Sequence, residues 1–132
     1  MRHFALSALF LAGAMIVVTA FLHGYVGGGQ LLKELEAGGI SADLRASVAI
    51  GWTAGSLCWA MLGGIVLLTA VRLRRGDGSL RGPGLAIGLL WLGFGLGALA
   101  LRGLRPHFLI FIVMGALVIA ALWALRDPAA AP

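Results

Sequence analysis

Four long apolar runs alternate with short polar stretches along this chain. They cover about residues 4–22, 44–71, 85–101 and 107–125. A helix needs roughly 20 apolar residues to cross a hydrocarbon layer about 30 Å thick, and each run is near or beyond that length. Inside lipid the backbone has to satisfy its own hydrogen bonds, so such runs predict α-helices. The pattern therefore predicts an all-α fold, a four-helix transmembrane bundle that forms a single integral membrane domain over residues 1–132.

The polar stretches divide the bundle into two hairpins. In the extramembrane loop 23–43, Gly27-Gly28-Gly29 reads as a flexible joint that ends span 1. Residues 30–37 follow as a short interfacial helix, with Leu31, Leu32 and Leu35 on one side and Lys33, Glu34 and Glu36 on the other. Gly38-Gly39 is its stop signal. Ser41 is placed to cap span 2, with Asp43 in the first turn. Span 2, roughly 40 Å long at 1.5 Å per residue, is expected to tilt or to protrude toward the loop 72–84. Gly82-Pro83-Gly84 introduces span 3, and Arg105-Pro106 the tight entry to span 4. The tail 126–132 is expected to be disordered.

Small residues give the packing expectations, because helices in lipid attract one another mainly by close contact. Span 1 carries Ala5, Ala8, Ala12 and Gly13; span 4 carries Ala116, Ala120 and Ala124. Span 2 shows two faces: Trp52, Ser56, Trp59 and Gly63 on one, and Gly51, Gly55, Cys58 and Leu62 on the next. Gly51, Gly55, Ser56, Ala60 and Gly64 fall into small-x-x-x-small patterns. Span 3, with Gly88, Gly93, Gly95 and Gly97, is expected to be thin and central. Gly51, Gly55, Ser56, Ala60, Gly64, Gly88, Gly93 and Gly97 are thus the candidate helix contacts.

Composition agrees with the pattern. Apolar residues make up 61% of the chain and charged residues 11%, against roughly 25% charged in a soluble domain. The net charge of +5 does not point to nucleic acid, because the basic residues lie between apolar runs instead of along one helix face. Arg72, Arg74, Arg75 and Arg81 concentrate in the loop 72–84 and set the topology by the positive-inside effect. With Arg2 and Arg126 they predict both termini inside, leaving Lys33, Arg45, Arg102 and Arg105 outside. Anionic lipid headgroups are the expected partners of this charge. The N-terminus imitates a signal peptide, with Val18-Thr19-Ala20 as a small-x-small site. Its apolar run exceeds the 7–15 residues of a signal core, so it reads as a signal anchor.

Candidate chemistry is sparse. No Asp, Glu, Lys or Arg lies deep in a span, which argues against proton-coupled export by a buried carboxylate. Ser7, Thr53, Ser56 and Thr69 are expected to bond the backbone one turn back. Cys58, the sole cysteine, is expected to be a packing residue. His23 and His107 fall at one end of the bundle, with Tyr25 and Trp52 at similar depth. Together these four are the candidates for holding a haem or a quinone. Histidines at span ends are ordinarily interfacial, so the two rings are expected to stay apart. No cofactor, metal site or catalytic constellation is expected.

The run His23-Gly24-Tyr25-Val26-Gly27-Gly28-Gly29-Gln30-Leu31-Leu32, then Leu44-Arg45-Ala46 and Trp52-x-x-x-Ser56, resembles a group of small uncharacterised four-span bacterial membrane proteins. They carry a comparable His and glycine pair after span 1, an Arg before span 2, and an aromatic and a serine early in span 2. Several place a His beside that tryptophan, where this chain has Thr53. The resemblance covers the first half, implies a bacterial inner membrane and implies no activity. The leading expectation is a non-enzymatic accessory or scaffold subunit, packing against itself or a larger membrane protein. The alternatives are an oligomeric small-molecule or lipid carrier or channel, and a haem- or quinone-associated redox subunit.

Overall fold

A computed structural model describes residues 1–126; the expected disorder of residues 127–132 lies outside them. The described residues are helical, without strands. Helix α1 (Arg2–Leu22) runs through a π-helical turn (His23–Gly27) into α2 (Gly28–Ala37). Then come α3 (Ala42–Arg74), α4 (Arg81–Arg102) and α5 (Pro106–Ala124). Four helices are long and apolar enough to cross a membrane, the first being the continuous rod Arg2–Ala37. This makes the chain a multi-pass helical bundle.

The continuity of that rod corrects the reading of Gly27-Gly28-Gly29 as a joint and of residues 30–37 as a separate interfacial helix. Glycine weakens a helix in water because it frees the backbone. Here Gly27 and Gly28 stay helical, and their missing side chains admit the indole of Trp52: a Cβ on Gly28 would lie 3.0 Å from its Cδ1. The stop at Gly38-Gly39 is as expected. Gly39 takes φ +72°, and the N–H groups of Gly39 and Ile40 donate to the carbonyls of Glu36 and Leu35 at 3.0 Å each, a Schellman closure. Ser41 Oγ accepts from Leu44 N at 3.4 Å to cap α3, and Arg45 pairs with Glu36 at 2.8 Å across the turn.

Packing follows close approach. α1 lies between α3 and α5, α5 lies against α4, and α3 touches α4 only lightly. The central helices are therefore α1 and α5, not the glycine-rich α4. A Cβ on Gly13 would stand 2.9 Å from Leu67 Cγ, and one on Gly63 2.7 Å from Val17 Cγ2. Between α4 and α5 a Cβ on Gly115 would meet the backbone nitrogen of Leu92 at 2.5 Å. One on Gly95 would meet Ile112 Cγ1 at 2.7 Å, and one on Gly88 Ile119 Cγ1 at 2.9 Å. Leu9, Ile16, Val66, Thr69, Met114 and Val118 fill the centre completely. Phe4, Phe21, Ile50, Met61, Leu89 and Val113 stay exposed, as expected of surface that faces lipid tails.

Several expected contacts are not made among the described residues. Nothing lies within 4 Å of a Cβ on Gly51, Gly55, Gly64, Gly93 or Gly97. Cys58 is exposed, and so are Ala116, Ala120 and Ala124. The face of α3 turned to α1 is the other one that the sequence offered: Trp52, Ser56, Trp59 and Gly63. Ser56 is buried, and Ala60 half-buried. Its Oγ donates to the Trp52 carbonyl at 2.9 Å, and Thr69 Oγ1 to Ile65 at 2.8 Å, the one-turn-back bonds expected of buried hydroxyls.

The bundle is uneven in length. The rod and α3 have 36 and 33 residues, while α4 and α5 have 22 and 19. At 1.5 Å per residue the first hairpin is about 50 Å tall and the second about 30 Å. Arg2 Nη2 donates to the Leu73 carbonyl at 3.2 Å, and Arg81 Nη2 to the carbonyl of Leu125, so all four helices are level at the end that holds both described chain ends. The excess of α3 therefore protrudes from the opposite end, not toward the basic loop.

Candidate functional site

The sequence marked His23, His107, Tyr25 and Trp52. Only His23 and Trp52 come into direct contact. The His23 ring stacks on Trp52 at 4.2 Å with 19° between planes, and on Trp59 at 4.5 Å with 26°. Residues 52 and 59 stand two turns apart on one face of α3, so the imidazole fills the gap between their indoles. The His23 carbonyl ends the packing of this corner. It accepts the Gly28 N–H across the π-turn and the Trp52 Nε1–H at 2.8 Å. A π-turn displaces one residue from the α-helical ladder, and here it presents Gly24, Gly27 and Gly28 to α3. A Cβ on Gly24 would lie 3.1 Å from Ser56 Oγ, and one on Gly27 3.3 Å from Trp52 Cζ2.

From Trp59 the aromatic contacts continue inward. Its ring lies 5.4 Å from Trp91, 5.7 Å from Phe94 and 5.4 Å from Phe111. Trp91 and Phe111 are 5.0 Å apart. This cluster joins the two hairpins where α3 meets α4 and α5, beside the more extensive α1–α5 packing, and sequence reasoning missed it. The i, i+7 pair Trp52 and Trp59 was the available signal, but Trp91 and Phe111 had no pattern linking them to it.

The remaining candidates do not join this arrangement. His107 is exposed and lies edge-on to its neighbour Phe108 at 4.2 Å. No cavity described is lined by both histidines. Each imidazole has its own aromatic neighbours, although α1 and α5 do pack together. Among the described residues, no three His, Cys, Asp or Glu side chains gather where a metal could be held.

Tyr25 is largely exposed and shares with Trp52 a cavity of about 130 Å³, which Gly24, Gly28 and Leu32 also line. A second, of about 290 Å³, lies beside Tyr25, Ser56 and Ala60. The two cavities share Gly24, Tyr25 and Thr53 as lining residues. The His23 ring itself is held between the Trp52 and Trp59 indoles.

No family model, curated protein or solved structure matches the chain.

At the opposite end lie the four arginines that the sequence marked for topology, Arg72, Arg74, Arg75 and Arg81. Arg72 Nη1 pairs with Asp77 Oδ2 at 2.7 Å, and Asp77 Oδ1 accepts the Ser79 N–H at 2.8 Å. The Arg72 hydrogen bond, then the Ser79 N–H, lower the Asp77 pKa to about 2. Arg74 and Arg75 are exposed. Arg81 is half-buried beside Arg2 and Arg126.

Proposed function

We propose that this protein is a non-enzymatic integral membrane subunit of the bacterial cytoplasmic membrane. It assembles side by side with a second copy of itself, with both termini inside. The observation that carries the reading is the unused face of α3. Gly51, Gly55 and Cys58 recur at i, i+4 and i+7 and are exposed, and nothing lies within 4 Å of a Cβ on either glycine. Ile50, Leu57 and Met61 flank the strip and are also exposed. Two copies in one membrane share an orientation, so α3 would meet its own counterpart in parallel about a two-fold axis. That is the arrangement in which Gly-x-x-x-Gly strips pack closely. The inside placement of the termini is supported by Arg2, Arg72, Arg74, Arg75, Arg81 and Arg126 at one end. The bacterial membrane is supported by the resemblance in the first half of the chain.

Cys58 supplies the test. Mild oxidation of native membranes should give a disulfide-linked dimer through Cys58. Gly55→Leu should abolish the product by forcing the helices apart. A chain that stays monomeric in the membrane but holds a larger protein stoichiometrically would assign the face to that protein. A monomer without any partner would sink the reading.

A further inference from the structure

The end of the bundle opposite His23 contains a cavity of about 630 Å³, lined by Arg2, Leu73, Gly76, Arg81, Leu125 and Arg126. Its three arginines come from three elements: the first residue of α1, the first residue of α4, and the residue two beyond α5. Two are anchored by one nitrogen each, Arg2 to the Leu73 carbonyl and Arg81 to that of Leu125. A guanidinium has five N–H donors, so this anchoring orients both groups and leaves donors over. Arg81 Nε is buried and has no hydrogen-bond partner among the described residues.

Among the described residues, Asp77 is the one acidic side chain on the segments that line this cavity, against Arg2, Arg81 and Arg126. Helices α1 and α4 both begin here, each with arginine and no acidic residue in its first turn, and neither has a side-chain cap. The positive end of a helix dipole favours an anion, so both arginines sit where the backbone already carries positive charge. Asp77, on the loop whose Gly76 and Gly78 line the cavity, is engaged by Arg72 at 2.7 Å. Phe4 and Trp123 are exposed within a turn of the rim, beside which acyl chains would run. Arg126 lies 3.8 Å over the Trp123 ring, which holds its guanidinium at the mouth.

We propose that the cavity lined by Arg2, Arg81 and Arg126 is a binding site for a phosphoryl anion, supplied by the headgroup of an anionic phospholipid. Planar guanidinium forks match phosphate oxygens bidentately. A site with three of them, at the end of a membrane bundle and next to exposed aromatic rings, fits a lipid phosphate better than a solute. The site is independent of the self-assembly face on α3, which lies on a different surface.

Native mass spectrometry of the delipidated protein with added phosphatidylglycerol tests this, with phosphatidylcholine and inorganic phosphate as the other arms. Phosphatidylglycerol should be retained in preference to phosphatidylcholine. Arg2→Gln, Arg81→Gln and Arg126→Gln should each weaken retention about fivefold, from roughly 1 kcal/mol per basic residue. Arg81→Gln also removes an anchor between α4 and α5, so Arg126→Gln, whose guanidinium holds no helix to another, is the decisive variant if Arg81→Gln fails to fold. A chain ending at Arg126 should bind as well as the full chain; loss there would place the site in the tail and overturn the proposal. Saturable binding of inorganic phosphate with no lipid preference would keep the phosphoryl chemistry and overturn the lipid source. Equal retention of both lipids, unchanged in Arg126→Gln, would overturn both.

Discussion

Trp52 and Gly28 touch where α3 crosses the helix that continues span 1, the indole edge taking the space a side chain on Gly28 would occupy. Gly29, the next residue, has nothing within 4 Å. Two neighbouring glycines of one triplet therefore have opposite roles.

Gly28→Ala should lower the melting temperature in detergent, because a Cβ 3.0 Å from the Trp52 ring forces either the indole or the rod to move, at a cost of about 1–3 kcal/mol. Gly29→Ala should raise it, by up to about 1 kcal/mol of helix propensity. Trp52→Phe should cost about 1 kcal/mol by removing the indole donor to the His23 carbonyl. Equal melting of Gly28→Ala and Gly29→Ala would mean that the triplet is a loose joint after all.

This corner also shows where sequence reading stops. The four spans, the Gly38-Gly39 stop and the Ser41 cap were legible, since each depends on local chemistry: apolar length, a positive φ, a hydroxyl near free N–H groups. The fate of Gly27-Gly28-Gly29 was not, because it depends on an indole more than twenty residues away. The buried faces were ambiguous for another reason. In a soluble helix the polar side marks the exterior, but α3 and α4 are apolar all round. Gly63 and Gly55 therefore look alike in the sequence, although one is pressed against Val17 and the other is open. The same ambiguity made Gly93 look like a contact and hid Gly115.

That ambiguity can be resolved by substitution. A Cβ on Gly115 would stand 2.5 Å from the Leu92 nitrogen and 2.7 Å from the Gly88 carbonyl oxygen, atoms that cannot rotate away. Gly115→Ala should destabilise the α4–α5 pair by at least the usual 1–3 kcal/mol of overpacking. Gly93→Ala, at a position with nothing within 4 Å, should leave melting unchanged or raise it. If Gly93→Ala proves the more damaging of the two in a monomeric preparation, the α4–α5 contact described here is wrong.

Asp77 gives a prediction in pH. Its pKa is lowered to about 2 from an ordinary value near 3.9, so the folded loop prefers the carboxylate. The stabilisation from its hydrogen bonds to Arg72 and Ser79 is fully present above about pH 4 and is lost as pH falls through about 2. The carboxyl carbon resonance of Asp77 should therefore titrate near 2, and in Arg72→Gln its midpoint should move back toward 3.9. A wild-type midpoint near 3.9 would show that the pair does not persist in solution.

The last prediction concerns which end of the bundle faces the cell interior. Arg2, Arg72, Arg74, Arg75, Arg81 and Arg126 share the end where α3 closes and α4 opens. The protruding end carries Lys33, Glu34, Glu36, Asp43 and Arg45. Because orientation follows the distribution of basic residues near span ends, with acids counting little, the arginine end should lie in the cytoplasm. Single cysteines in a Cys58→Ser background report this directly. Ser79 is exposed on the loop between α3 and α4 and keeps its backbone bond to Asp77 when its side chain changes. Ala37 is exposed at the far tip of the rod and is preferable to Ser41, whose hydroxyl caps α3. In intact spheroplasts an impermeant maleimide should label Ala37→Cys and spare Ser79→Cys, and permeabilisation should expose both. The reverse pattern would put the arginine cavity on the outer face, against the charge rule.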